Sequence, residues 1–327
     1  MRRLTGRKGL HRRVSNLPRL EDYSDVIKGY LIHLSYNMWA DVADPGVGGK
    51  SRFIGCRPYL RCDRPLWDDI IAALAGAGAS TILIDIGDGV RYRSRPEIAV
   101  EGAWSVDELK GAIARIRDLG MEALPKLNFS TTHDTWLGEY HRCVSTPTYY
   151  AVCADLIAET IELFDGPPLF HLGMDEEDLP NQRFNEHVTI RQGDLWWRDL
   201  EFLAGEVEKG GARPWIWSDY YWSNPESFRD RMPRSIVQSN WYYSTDFSEE
   251  KTPVRTYLEL DRLGYDQIPT GSNWESPENF PQTVRFCQER LDAGRVLGFL
   301  QTVWQPTLEE CRGEHMEAVA ALGEAFS

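Results

Sequence analysis

A closed barrel of eight parallel β-strands, each followed by a helix, the (β/α)8 or TIM-barrel class, is the fold this sequence predicts. Three observations predict it. Short apolar runs alternate with longer amphipathic stretches from one end of the chain to the other. Eight such runs can be found, and 327 residues suit one large barrel. A Gly-rich first strand-to-helix turn, which an open doubly wound sheet would usually carry, is absent.

The first strand is expected over residues 30–36 (YLIHLSY), and the spacing of 66–77 predicts a helix behind it. Residues 81–86 (TILIDI) form the second strand, followed by the most clearly marked helix, 106–119. Ser105-Val106-Asp107-Glu108 opens that helix as a capping box, and Gly120 stops it. Leu109, Ile113, Ile116 and Leu119 recur at helical spacing and give it a face to pack on a sheet. The third and fourth strands are 123–129 (ALPKLNF) and 169–173 (LFHLG), with helices at 149–163 and 193–209. Strands at 214–217 (PWIW) and 236–239 (IVQS) precede a helix at 251–263. Strands at 267–271 (QIPTG) and 296–303 (VLGFLQTV) flank a last helix at 281–293. Such alternation implies parallel strands joined by right-handed crossovers. With no internal repeat or linker, residues 26–327 are expected to form a single domain, and residues 1–25 a flexible basic extension.

Composition narrows the function. A net charge of −14 disfavours nucleic acid as a partner, because phosphate binding needs a basic surface. No run reaches the roughly 18 apolar residues that span a bilayer, so no membrane partner is expected. Arg2, Arg3, Arg7, Lys8, Arg12 and Arg13 are not followed by the apolar stretch of an export signal, so cytoplasmic residence is the default expectation. Six cysteines show no C-x-x-C pairing, His133 and His141 stand eight apart, and no G-x-S-x-G elbow occurs. Neither a metal, a cofactor nor a nucleophilic serine is therefore expected.

In this fold class functional residues gather where the strands end. Leu169 to Glu176 (LFHLGMDE) reads as a short strand ending in two carboxylates, costly groups unless something uses them. Glu177 and Asp178 continue the run and would suit a solvated acidic turn equally well. The other strand ends carry Asn37, Trp39 and Asp41, then Asp85 and Asp88, then Asn128, His133, Asp134 and Trp136. Trp217, Asp219 and Tyr220 to Trp222 follow the fifth, and Asn240, Trp241, Tyr242 and Tyr243 the sixth. Asn273, Trp274 and Glu275 follow the seventh, and Trp304 and Gln305 the eighth. Aromatic rings beside carboxylates and amides are what a neutral sugar requires, rings covering its apolar faces and polar groups its hydroxyls.

His171-x-Gly173-x-Asp175-Glu176 resembles the signature of the family 20 glycoside hydrolases, the β-N-acetylhexosaminidases. Ala123-Leu124-Pro125, Trp217-Ser218-Asp219, Gln238-Ser239-Asn240-Trp241 and residues 298–304 resemble further blocks of that family in the same order. The resemblance runs over about residues 30–306. It implies a retaining reaction in which the substrate's own 2-acetamido oxygen attacks the anomeric carbon. Glu176 would be the acid and base, and Asp175 would orient the acetamido group and stabilise the oxazolinium charge. Trp217, Trp241, Trp274 and Trp304 would wall the pocket, with Asp219 on a hydroxyl, Tyr243 and Glu275 among the substrate-binding residues and His171 in support. The partner implied is an N-acetylhexosamine-containing glycan.

The chain also departs from the family. The arginine usual after the first strand is replaced within Tyr36-Asn37-Met38-Trp39, and the block after the third reads Lys126-Leu127-Asn128-Phe129-Ser130. The eighth-strand Trp-x-Glu becomes Trp304-Gln305-Pro306, and Tyr242 or Tyr243 would have to replace the tyrosine that holds the acetamido oxygen. Two alternatives stand beside the main reading. One is a glycosidase for another sugar, with Asp219, Glu275 or Asp88 as nucleophile. The other is a carbohydrate-binding barrel without turnover.

Overall fold

The computed structural model describes residues 26–327, so the basic extension expected over 1–25 lies outside the described residues. Each of the eight apolar runs supplies a strand: β1 (Ile27–His33), β2 (Thr81–Asp85), β3 (Glu122–Lys126), β4 (Leu169–His171), β5 (Arg213–Trp217), β6 (Val237–Ser239), β7 (Thr270–Ser272) and β8 (Gly298–Thr302). They form one parallel sheet in the order β6-β5-β4-β3-β2-β1-β8-β7. The remaining seam, between β6 and β7, is closed by backbone bonds from Gln238 N to Asp266 O (3.0 Å), Ile268 N to Gln238 O (3.0 Å) and Thr270 N to Asn240 O (2.9 Å). The barrel is thus complete and leaves no open edge.

Helices α1 (Arg64–Gly76), α2 (Val106–Asp118), α3 (Pro147–Leu163), α4 (Asp194–Lys209), α7 (Thr252–Arg262) and α8 (Asn279–Arg290) correspond to the six expected. Two short helices, α5 (Tyr220–Ser223) and α6 (Pro225–Arg231), fill the β5–β6 connection, and α9 (Arg312–Ala325) ends the chain. None of these three was anticipated. The capping box on α2 forms as the spacing requires: Glu108 N donates to Ser105 Oγ (3.2 Å) and Ser105 N to Glu108 Oε2 (2.8 Å). Leu109, Ile113 and Ile116 are buried, but Leu119 is 39% exposed, and Ala112 takes the packed position instead.

Alternation along the strands separates two apolar layers. Tyr30, Ile32, Ile82, Ile84 and Ala123 pack outward against the helices. Leu31, Leu83, Leu124, Leu169, Trp215 and Leu300 fill the barrel interior. Toward the C-terminal end the interior turns polar. Lys126 Nζ donates to Asp85 Oδ2 at 2.6 Å, and His33 Nδ1 lies 3.3 Å from the same oxygen. Burial opposes the charge on Asp85, but Lys126 and His33 outweigh it and lower its pKa to about 2. This ion pair bridges the ends of β1, β2 and β3 directly beneath the site.

Candidate active site

β4 stops at His171 because the next residues leave extended geometry. Gly173 (φ 74°), Met174 (φ 74°) and Glu176 (φ 55°) all adopt left-handed backbone, which for the two residues with a Cβ costs on the order of 1–2 kcal/mol each. Gly173 cannot be otherwise, since a Cβ there would stand 1.8 Å from Asn128 Oδ1. That amide organises the turn: Asn128 Oδ1 accepts from Ser130 N (3.0 Å), and Asn128 Nδ2 donates to Asp175 Oδ1 (2.9 Å). Ser130 Oγ and Thr132 Oγ1 hold the carbonyls of Asp175 and Glu176. The carboxylates are therefore displayed by a turn whose backbone polar groups are bound from the β3 side.

His133 stands between them. Its Nδ1 lies 3.0 Å from Met38 O, and a carbonyl can only accept, so Nδ1 carries a proton. Nε2 then faces Asp175 Oδ2 and Glu176 Oε2, each 3.2 Å away. Burial disfavours a charged imidazole, but the two carboxylates outweigh it and hold the His133 pKa well above its usual value. Burial likewise opposes charge on Asp175, yet His133, Lys126 and Asn128 keep its pKa below the usual range. Among the described residues, His133, Asp175 and Glu176 form the one group whose ligand atoms, within 4.8 Å of one another, could hold a cation.

These groups sit in a cavity of about 420 Å³, within the range of small-molecule sites. Trp217, Trp241, Tyr243, Trp274 and Trp304 line it, with Glu275 and Asn181 among its polar groups. Trp39 and Tyr36 add two rings from the β1 end; Trp39 packs edge-on against His133 at 4.7 Å. Trp39 Nε1 and Trp217 Nε1 are buried donors with no hydrogen-bond partner among the described residues. Two side-chain contacts fix the loops that complete the wall. Asp41 accepts from Glu186 N (2.7 Å) and His187 N (2.9 Å), and Gln305 Nε2 donates to Lys50 O (3.1 Å).

Of the ten residues expected to act on or bind the substrate, Asp175, Glu176, Trp217, Trp241, Tyr243, Trp274, Glu275 and Trp304 meet in this cavity. Two do not line it. His171 is fully buried beneath the turn, between Trp215 (4.7 Å) and Trp217 (4.4 Å), and its Nδ1 accepts from Gly173 N at 3.0 Å. Burial, then the Lys126 charge, hold it neutral, so it braces the turn and does not meet a ligand. Asp219 accepts from Glu176 N (2.8 Å) and Trp241 Nε1 (3.3 Å), one donor at each oxygen. Burial and the nearby Asp175 charge push its pKa up to about 8. Of the other two candidate nucleophiles, Glu275 lines the cavity and Asp88 is buried outside it against Ser35 and Asn37. Nor is Glu177 part of a solvated run, since Arg191 and Thr131 N bind it in the interior. The sequence places His133 among the residues that follow the third strand and discounts it as a metal ligand, but gives it no role in the site. Its place in a loop at the C-terminal end of a barrel strand was the available signal.

No protein-family profile matches this chain, and no curated protein does. Solved structures share its fold. An exo-β-N-acetylglucosaminidase of family 20 from Vibrio harveyi, determined with N-acetylglucosamine, superposes with a TM-score of 0.62 at 14% identity over 91% of this chain and 54% of its own. A β-N-acetylhexosaminidase from Bacteroides fragilis gives 0.60 at 15% identity, over 91% and 65% of the two chains. Dispersin B gives 0.57 at 12% identity, over 91% and 98%. The chain thus spans about half the length of the Vibrio structure and nearly all of dispersin B.

Proposed function

We propose that this protein is a glycoside hydrolase that cleaves β-linked N-acetylhexosamines with retention, using the substrate's 2-acetamido group as nucleophile. The observation that carries the reading is the trio Asp175, Glu176 and His133, with Nε2 3.2 Å from both carboxylates in a tryptophan-walled cavity. The fold shared with the family 20 enzymes adds support.

Glu176, its side chain a quarter exposed, would deliver a proton to the leaving oxygen as the acetamido oxygen closes on the anomeric carbon. The C1–O bond breaks and an oxazolinium forms. Asp175, held ionised by His133 and Lys126, would take the acetamido N–H and offset the positive charge as it develops. Tyr243 lines the cavity and is the tyrosine for the acetamido oxygen, whereas the Tyr242 hydroxyl donates to Asp246 O (2.9 Å). Glu176 would then remove a proton from water, which opens the oxazolinium and regenerates the acid. No protein nucleophile enters this scheme, in keeping with Asp88 and Asp219 having their oxygens engaged elsewhere.

The test is turnover of an aryl N-acetyl-β-glucosaminide. Glu176→Gln should lower kcat about 10²–10⁴-fold with an unchanged melting temperature. Undiminished turnover by that variant would remove the assignment.

A further inference from the structure

Asp219 sits at the end of β5, one residue before the short helix α5, where a carboxylate would ordinarily cap its own helix. It does not: no side-chain capping bond forms. The carboxylate turns instead to two donors on other strand ends. Oδ2 accepts from Glu176 N at 2.8 Å and Oδ1 from Trp241 Nε1 at 3.3 Å. The first donor belongs to a residue in left-handed backbone (φ 55°). The second belongs to a cavity wall that stacks on Tyr243 (5.1 Å, 25°) and packs against Trp222 (4.6 Å). A residue that forgoes its local bond to serve two distant groups marks a constraint beyond folding of its own segment.

We propose that Asp219 is a positioning residue, a clamp that ties the backbone of Glu176 to the indole of Trp241 and so fixes the acid against one wall of the cavity. The proposal rests on the reading of Glu176 as the acid. It adds that β5 and β6 set the aim of that group, although Asp219 itself does not line the cavity.

Asp219→Ala removes both acceptors; Asp219→Asn, nearly isosteric, keeps one. With folding checked by thermal melting, kcat on the aryl N-acetyl-β-glucosaminide should fall about 10–100-fold in the alanine variant and less in the asparagine variant, with KM within about threefold. In a Glu176→Gln background the alanine change should cost less than about threefold more, because its effect passes through Glu176. Hydrogen exchange at the Glu176 amide and the Trp241 indole should rise about tenfold or more in Asp219→Ala. The same multiplicative loss in both backgrounds, or unchanged exchange at the two donors, would overturn the proposal. A wild-type protein inert on aryl glycosides would defeat the hydrolase reading, while the exchange rates would still decide whether Asp219 clamps these groups.

Discussion

Gly173 shows how closely the β3 and β4 ends are fitted. Both its left-handed φ of 74° and the 1.8 Å approach that a Cβ would make to Asn128 Oδ1 exclude a side chain. Gly173→Ala should therefore destabilise the protein by roughly 3 kcal/mol or more, read as a lower urea midpoint; an unchanged midpoint would contradict the geometry. At this scale the sequence disclosed what local pattern can disclose. Two adjacent carboxylates after an apolar run, and tryptophans at several strand ends, were visible as residues in a row. His133 was not assigned because it acquires its role across the barrel, through Met38 O on one side and the β4 turn on the other. Asp219 was assigned to the ligand because a carboxylate near aromatic residues suggests a hydroxyl. Its partners within the fold are an amide 43 residues away and an indole 22 away, and no spacing rule reaches either.

At the level of elements, the strands were legible because each is a short apolar run closed by a turn or helix signal. Their ends were less so: β1 begins at Ile27 rather than at residue 30, and β4 is cut at His171 by the left-handed turn. Helix α9 was missed because its small and charged residues, with Gly313 and Gly323 among them, present no continuous apolar stripe. It packs nonetheless through His315, Ala318, Val319 and Leu322, and Tyr30 Oη lies 3.0 Å from His315 Nδ1. The ion pair at the ends of β1 to β3 gives a prediction of sign as well as size. Asp85 has its pKa lowered from 3.8 to about 2 in the folded protein, so its contribution is present above pH ~4 and lost as pH falls toward ~2. It amounts to roughly 2 kcal/mol, at about 1.4 kcal/mol per unit. Unfolding free energies measured from pH 5 to pH 2 should fall more steeply for the wild type than for Asp85→Asn. Parallel curves would show that Lys126 and His33 do not hold the carboxylate in this way.

For the molecule as a whole, closure of the barrel converts scattered sequence features into one site. Strand ends that lie far apart in the chain, from Trp39 to Trp304, meet around a single cavity only because β6 and β7 complete the seam. The fold was therefore legible from alternation alone, and the crown of tryptophans followed from the rule that function gathers at strand ends. The ring of supporting polar contacts did not follow, because Asn128, His133, Asp219 and Gln305 act between loops. The measurement that bears most directly on the hydrolase reading is a comparison of kcat/KM for aryl N-acetyl-β-glucosaminide and N-acetyl-β-galactosaminide against the unsubstituted β-glucoside and β-galactoside. Substrate-assisted catalysis predicts turnover of an acetamido sugar at least ~10³-fold above its unsubstituted counterpart, since removing the internal nucleophile removes its effective-molarity advantage. Equal rates on sugars with and without the acetamido group would contradict it.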